Sequence, residues 1–256
     1  MDFGSINLTL GLEIALWIVG VLIGIVAAVS LVISGWLAIQ YHKFNEKENS
    51  AGLTGEQTAR KILDAHGLQK IKVKVTGSLL FGNSYSHYFK KVRLRRLTRH
   101  KTSVTALGMG AQKACLAILD KEGDPDMKKQ VRLYPLITFG PFAFVPLITV
   151  GFLLDYFMFG QSGMCVYVLG GLGFLFYVYA LVLSVLTLKT EKKAQERAYR
   201  VLKDNQMATN EELEDLKTLF RLYNIQYIND IIMASLELIY KVLQIALALA
   251  KDDNTN

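Results

Sequence analysis

The chain alternates between long apolar runs and charged amphipathic stretches. From Ile14 to Ile39 no residue is charged, and these 26 residues are enough to cross a bilayer with some tilt. Trp17 and Trp36 lie near the two ends of that run, where indoles favour the membrane interface. A second apolar run, Tyr134 to Leu154, contains Pro135, Pro141 and Pro146, which must bend it because each lacks an N–H for the helix ladder. A third runs from Met164 to Leu188, and the short Asp155–Gly163 turn predicts an antiparallel hairpin with the second. The last apolar segment, Ile225 to Ala250, carries Asp230, Glu237 and Lys241, with Glu237 and Lys241 spaced to pair on one face. Those charges favour a packed or interfacial helix over a fourth span.

Between the first two runs the periods change. "TGEQTARKILDAHG" reads as a helix with Thr54 and Gln57 in a capping box and Gly67 just past its end. "KIKVKV" alternates strictly, with Ile71, Val73 and Val75 on one face and lysines on the other, a strand. "KKVRLRRL" predicts its partner strand, and "TALGMGAQKACLAIL" a helix capped by Ser103. The expected order is helix, two strands, helix. Beyond the third run, "ERAYRVLKDNQ" reads as a short helix, and Thr209 with Glu212 forms a second capping box. The divisions expected are a membrane helix at 1–44, an α+β domain at 45–133, a membrane hairpin at 134–188 and a helical tail at 189–256. The fold class is an α+β integral membrane protein.

Composition supports this and adds orientation. Of 256 residues, 52 % are hydrophobic, and the net charge is +7. Between Tyr41 and Leu133 there are 19 Lys/Arg against 8 Asp/Glu, whereas the N-terminal tail and the Asp155–Gly163 turn have no Lys or Arg. The positive-inside rule then puts the N-terminus outside and both the 45–133 domain and the tail in the cytoplasm. The N-terminus lacks the basic n-region of a cleavable signal. Two cysteines, Cys115 and Cys165, make neither a disulfide framework nor a metal knuckle. Seven cations, Lys90, Lys91, Arg93, Arg95, Arg96, Arg99 and Lys101, fall together without an acid. Close to a bilayer they suit anionic lipid better than nucleic acid, so membrane lipid is the expected partner and nucleic acid is not.

Several segments resemble the bacterial membrane-bound neutral zinc metallopeptidases, the YugP-like family. "SAGLTGEQTARKILDAHGL" is similar to that family's opening motif. "SVTALGMGAQKACLAI" resembles its zinc-site helix, and "LTLKTEKKAQERAYRVL" the later segment that supplies its third ligand. The resemblance runs in order from about Ser50 to Ala250 and implies a zincin-like cytoplasmic domain in the bacterial plasma membrane. It also implies two histidines at i and i+4 on one helix face and a glutamate beside the first as general base. Here those three positions hold Gln112, Leu116 and Lys113 in the run Gln112-Lys113-Ala114-Cys115-Leu116, so HExxH is gone. Gln is a poor zinc ligand, Leu is none, and a protonated Lys repels the metal and takes no proton.

Glu191 matches the third ligand position, although beside Lys189, Lys192 and Lys193 a solvated charge is the simpler expectation. His87 and Tyr88 match a His-Tyr pair in the family's D-H-Y turn. His42, His66 and His100 offer no i, i+4 partner, so Glu191, His87 and Cys115 are the weak candidates for a rebuilt metal site. The resulting expectation is a catalytically degenerate homologue, without a cofactor, that binds a peptide, a membrane partner or an active relative. The alternative is an active zinc peptidase with a rebuilt site.

Overall fold

A computed structural model describes residues 3–76, 82–133, 140–158 and 163–253. The chain divides into two compact units.

The first unit comprises Met1–Val32, Leu136–Ser184 and Gln226–Asn256 and is built from apolar helix. Helix α1 is Phe3–Glu46. Helix α6, Gly140–Phe157, contains Pro146, and Pro135 lies outside the described residues. Asp155, expected in the turn, belongs to the last turn of α6. Its carboxylate accepts from the backbone N–H of Cys165 (3.1 Å) and Val166 (2.8 Å), satisfying donors that the start of α7, Met164–Asp204, leaves without intrahelical partners. The two helices also touch by backbone, since a Cβ on Gly151 would stand 2.9 Å from the Cys165 carbonyl oxygen. The two helices are thus packed neighbours. In α8, Asn210–Asp253, Glu237 accepts from Tyr177 Oη at 2.9 Å, and Lys241 Nζ lies 5.1 Å from the centre of the Tyr177 ring.

The apolar runs do not end where hydropathy changes. Helix α7 is Met164–Asp204, so the third run and the expected short helix of the tail are one element. Helix α8 is Asn210–Asp253, and its capping box is present: Thr209 N donates to Glu212 at 2.7 Å and Glu212 N to Thr209 Oγ1 at 3.3 Å. Among the described residues three helices are long and apolar enough to cross a membrane: Thr9–Glu46, Met164–Asp204 and Asn210–Lys251.

The second unit, Ile33–Pro135 with Val185–Ile225, holds a small sheet and a buried central helix. Helix α2 is Gly55–Ala65, with the Thr54–Gln57 capping box formed and Gly67 at φ +68°. The strands are β1 (Lys72–Val75), β2 (Ser84–Ser86) and β3 (Lys91–Leu94), in the order β1-β3-β2. β1 pairs parallel to β3, and β2, absent from the predicted pattern, pairs antiparallel to β3. Helix α3 is Arg96–His100, helix α4 Val104–Glu122 and helix α5 Pro125–Leu133. Ser103 caps α4 by accepting from Ala106 N at 3.1 Å.

Every residue of α4 from Val104 to Leu119 is buried. The small residues of "ALGMGA" allow this. A Cβ on Gly110 would collide with the Gly55 carbonyl oxygen, so α2 and α4 meet backbone to backbone. Leu63, Val92, Leu94, Leu107, Leu202 and Leu216 complete the core around it.

Candidate functional site

The buried helix α4 carries Gln112 and Lys113 into the core, where polar groups must find partners. Glu191, on α7, supplies them. Lys113 Nζ donates to Glu191 Oε1 at 2.6 Å and to Oε2 at 2.8 Å. Gln112 Nε2 donates to the same Oε2 at 2.6 Å. Gln112, Lys113 and Glu191 are 4, 6 and 8 % exposed. The expectation that Glu191 is a solvated charge is therefore wrong, because its partner is an ammonium 78 positions back in the chain. The nearby lysine that looked like its neighbour turns elsewhere: Lys193 pairs with Asp124 (2.8 Å) and Asp126 (2.7 Å).

This cluster closes its own charge balance. One ammonium meets one carboxylate, and the Gln112 amide adds a further donor to the carboxylate. Leu116, where the resemblance implies the second histidine, is buried and offers no lone pair. A zinc ion needs a set of nitrogen, sulfur or oxygen lone pairs converging on one point. At these positions the converging groups are an ammonium and an amide N–H, both hydrogen-bond donors, so the residues do not fit the metal.

The other candidates lie apart from Glu191. His87 Nδ1 is 2.6 Å from Asp120 Oδ2, which also accepts from Tyr85 Oη at 2.6 Å, with Lys90 Nζ at 3.5 Å. Asp120 follows Lys113 by seven residues on α4, about 10 Å along the helix axis. Burial pushes the Asp120 carboxyl up, but the hydrogen bonds from Tyr85 and His87 and the charges of His87 and Lys90 hold it below the usual carboxylate range. Burial and the Asp120 carboxylate push the Tyr85 phenol well up, so it stays a donor. Sequence reasoning missed Asp120; its one signal was an acid ending an otherwise apolar helix. Cys115 is sealed in the core, and burial pushes its thiol up to about 12, far from the thiolate a metal requires. Among the described residues no three His, Cys, Asp or Glu side chains group closely enough to hold a metal.

The basic segment divides. Arg99 is spent on a two-pronged pair with Glu56 (2.6 and 2.7 Å), and Lys90 faces Asp120. Lys91 and Arg93 lie over the exposed Phe89 ring at 4.4 and 5.7 Å, Arg95 and Arg96 are exposed, and Lys101 is half-buried.

Comparison with known proteins identifies the family. A family described as "Putative neutral zinc metallopeptidase" matches residues 19–246. The chain is 24 % identical over 200 residues to a Bacillus subtilis (strain 168) protein named "Putative membrane protease YugP", covering 78 % of this chain and 84 % of that one. No solved structure matches. The match spans the buried helix, the Glu191 helix and most of the apolar runs, and the chain belongs to the neutral zinc metallopeptidase family.

Proposed function

We propose that this chain is a degenerate metallopeptidase that binds a peptide or membrane partner without cleaving it. One observation carries the reading: Lys113 Nζ sits 2.6 Å from Glu191, the carboxylate at the family's third ligand position. The ammonium takes over the charge-balancing role a metal would have there. A lysine held in that pair has no lone pair with which to take a proton from water. Binding would use the sheet edges: β1 and β2 are both edge strands, and beside β2 a shallow cleft is lined by Tyr85, Ser86, His87, Met127 and Gln130. An extended peptide adding to β2 would run along that cleft.

The same reading holds the chain in the membrane, with the 45–133 domain cytoplasmic by its Lys/Arg excess. It replaces the interfacial terminal helix with a crossing one. Tyr240 lies 3.8 Å from where a Cβ on Gly20 would stand, and Lys251 pairs with Glu13 at 2.9 Å, so the end of α8 runs antiparallel to α1 in the first unit. An antiparallel neighbour of a span that enters from outside would leave the C-terminus outside.

The test is proteolysis by the full chain in lipid vesicles, using unstructured and membrane-anchored peptides with and without zinc. The expected result is no cleavage above protein-free vesicles. Zinc-dependent cleavage that disappears in Glu191→Gln would establish a rebuilt active site instead.

A further inference from the structure

The outer face of the sheet is a cationic platform. The register sets Lys72 opposite Lys91 and Lys74 opposite Arg93, side by side on parallel strands. On the other side of β3, Ser86 faces Lys91 and Ser84 faces Arg93. The alternate residues Val92 and Leu94 are fully buried, so the four cations share the opposite, outer face. Among the described residues no carboxylate pairs with any of them. Like charges directly opposite each other weaken a sheet. Four of them in two adjacent rows, with short serines completing the rows, give a surface whose charge no carboxylate among the described residues pairs with.

Phe89 adds the second observation. Its ring is 67 % exposed, stands over Lys91 and Arg93, and follows the half-exposed Tyr88. An aromatic ring among cations matches phosphate headgroups above an apolar layer. The chain that carries this face also carries, among its described residues, three helices apolar enough to cross a membrane.

We propose that Lys72, Lys74, Lys91 and Arg93, with Phe89, form a docking face for the anionic surface of a bilayer. The inference rests on the chain being membrane-held, and its test keeps the two ideas apart. The full chain is placed in nanodiscs of phosphatidylcholine, with or without phosphatidylglycerol, that contain lipids brominated on their acyl chains. Quenching of the native Trp17 and Trp36 reports membrane insertion by itself. In a Trp17→Phe, Trp36→Phe background, Phe89→Trp then reports the docking face.

The expected result is quenching of that introduced indole about twofold stronger with anionic lipid, lost at about 0.5 M salt, where the screening length falls to a few ångströms. It is also lost when Lys72, Lys74, Lys91 and Arg93 are all changed to Gln. The milder Lys72→Gln, Lys74→Gln variant, confined to the edge strand, must lose part of the signal while melting no lower than the parent, which separates docking from misfolding. Equal quenching in both lipids would overturn the proposal. So would an emission change on adding polyuridylate or polyglutamate to neutral nanodiscs with no response to anionic lipid.

Discussion

The second unit holds two sets of lysines in opposite circumstances. Lys113 is 6 % exposed and is matched by a carboxylate at 2.6 Å. Lys72 and Lys74 are exposed on a sheet face that has no carboxylate, opposite two further cations. A buried ammonium without a partner costs several kcal/mol, so its carboxylate is dictated by the fold. An exposed lysine costs little and can be kept for something outside the chain. The contrast separates a charge that stabilises the protein from charges that the protein presents.

The largest expected effect comes from breaking the buried pair. Glu191→Leu strands the Lys113 ammonium and should destabilise the chain by about 3–5 kcal/mol. Adding Lys113→Met should restore most of that loss, because removing both charges leaves nothing unpaired. Denaturant unfolding of both single variants and the double variant measures the coupling. If the two losses simply add, the pair is not the unit described here.

A middle-sized effect belongs to Asp120. Its carboxyl is held low in the folded chain, so the stability it contributes is present above the ordinary carboxylate range and lost as pH falls through the depressed value. Asp120→Asn should cost about 1.5–3 kcal/mol at neutral pH. It should also flatten the fall in melting temperature on acidification. An unchanged acid profile would mean that Tyr85 and His87 do not depend on this carboxylate.

The smallest effect has the opposite sign. Lys72→Gln with Lys74→Gln removes two like-charge neighbours and should raise stability by about 0.2–1 kcal/mol for each pair relieved. A loss of stability would return those lysines to a structural role and blunt the comparison with Lys113.

Much of the local structure was legible in the sequence. The caps at Thr54, Ser103 and Thr209 follow from side-chain chemistry within three residues, and all three form. Strand β2 was not legible, since three residues, two of them serine, carry neither alternation nor bulk. Hydropathy misplaced the ends of α7 and α8 because a change from apolar to charged surroundings does not interrupt the helical hydrogen-bond ladder. At the site, the three family positions were readable and the repulsion of zinc by Lys113 could be argued. That Lys113 and Glu191 are partners could not, because nothing local connects residues 78 positions apart. The lysine alternation of β1 was visible too, but its meaning needed the register that sets those lysines beside Lys91 and Arg93.

Zinc stoichiometry tests the proposal that an ammonium stands where the family's metal would. The purified chain would be incubated with zinc, washed and analysed by elemental mass spectrometry, alongside a Gln112→His, Lys113→Glu, Leu116→His variant. The expected result is no retained zinc in the natural chain, and one ion per chain in the variant that is lost on adding Glu191→Ala. One tightly held zinc in the natural chain, released by Glu191→Ala, would contradict it.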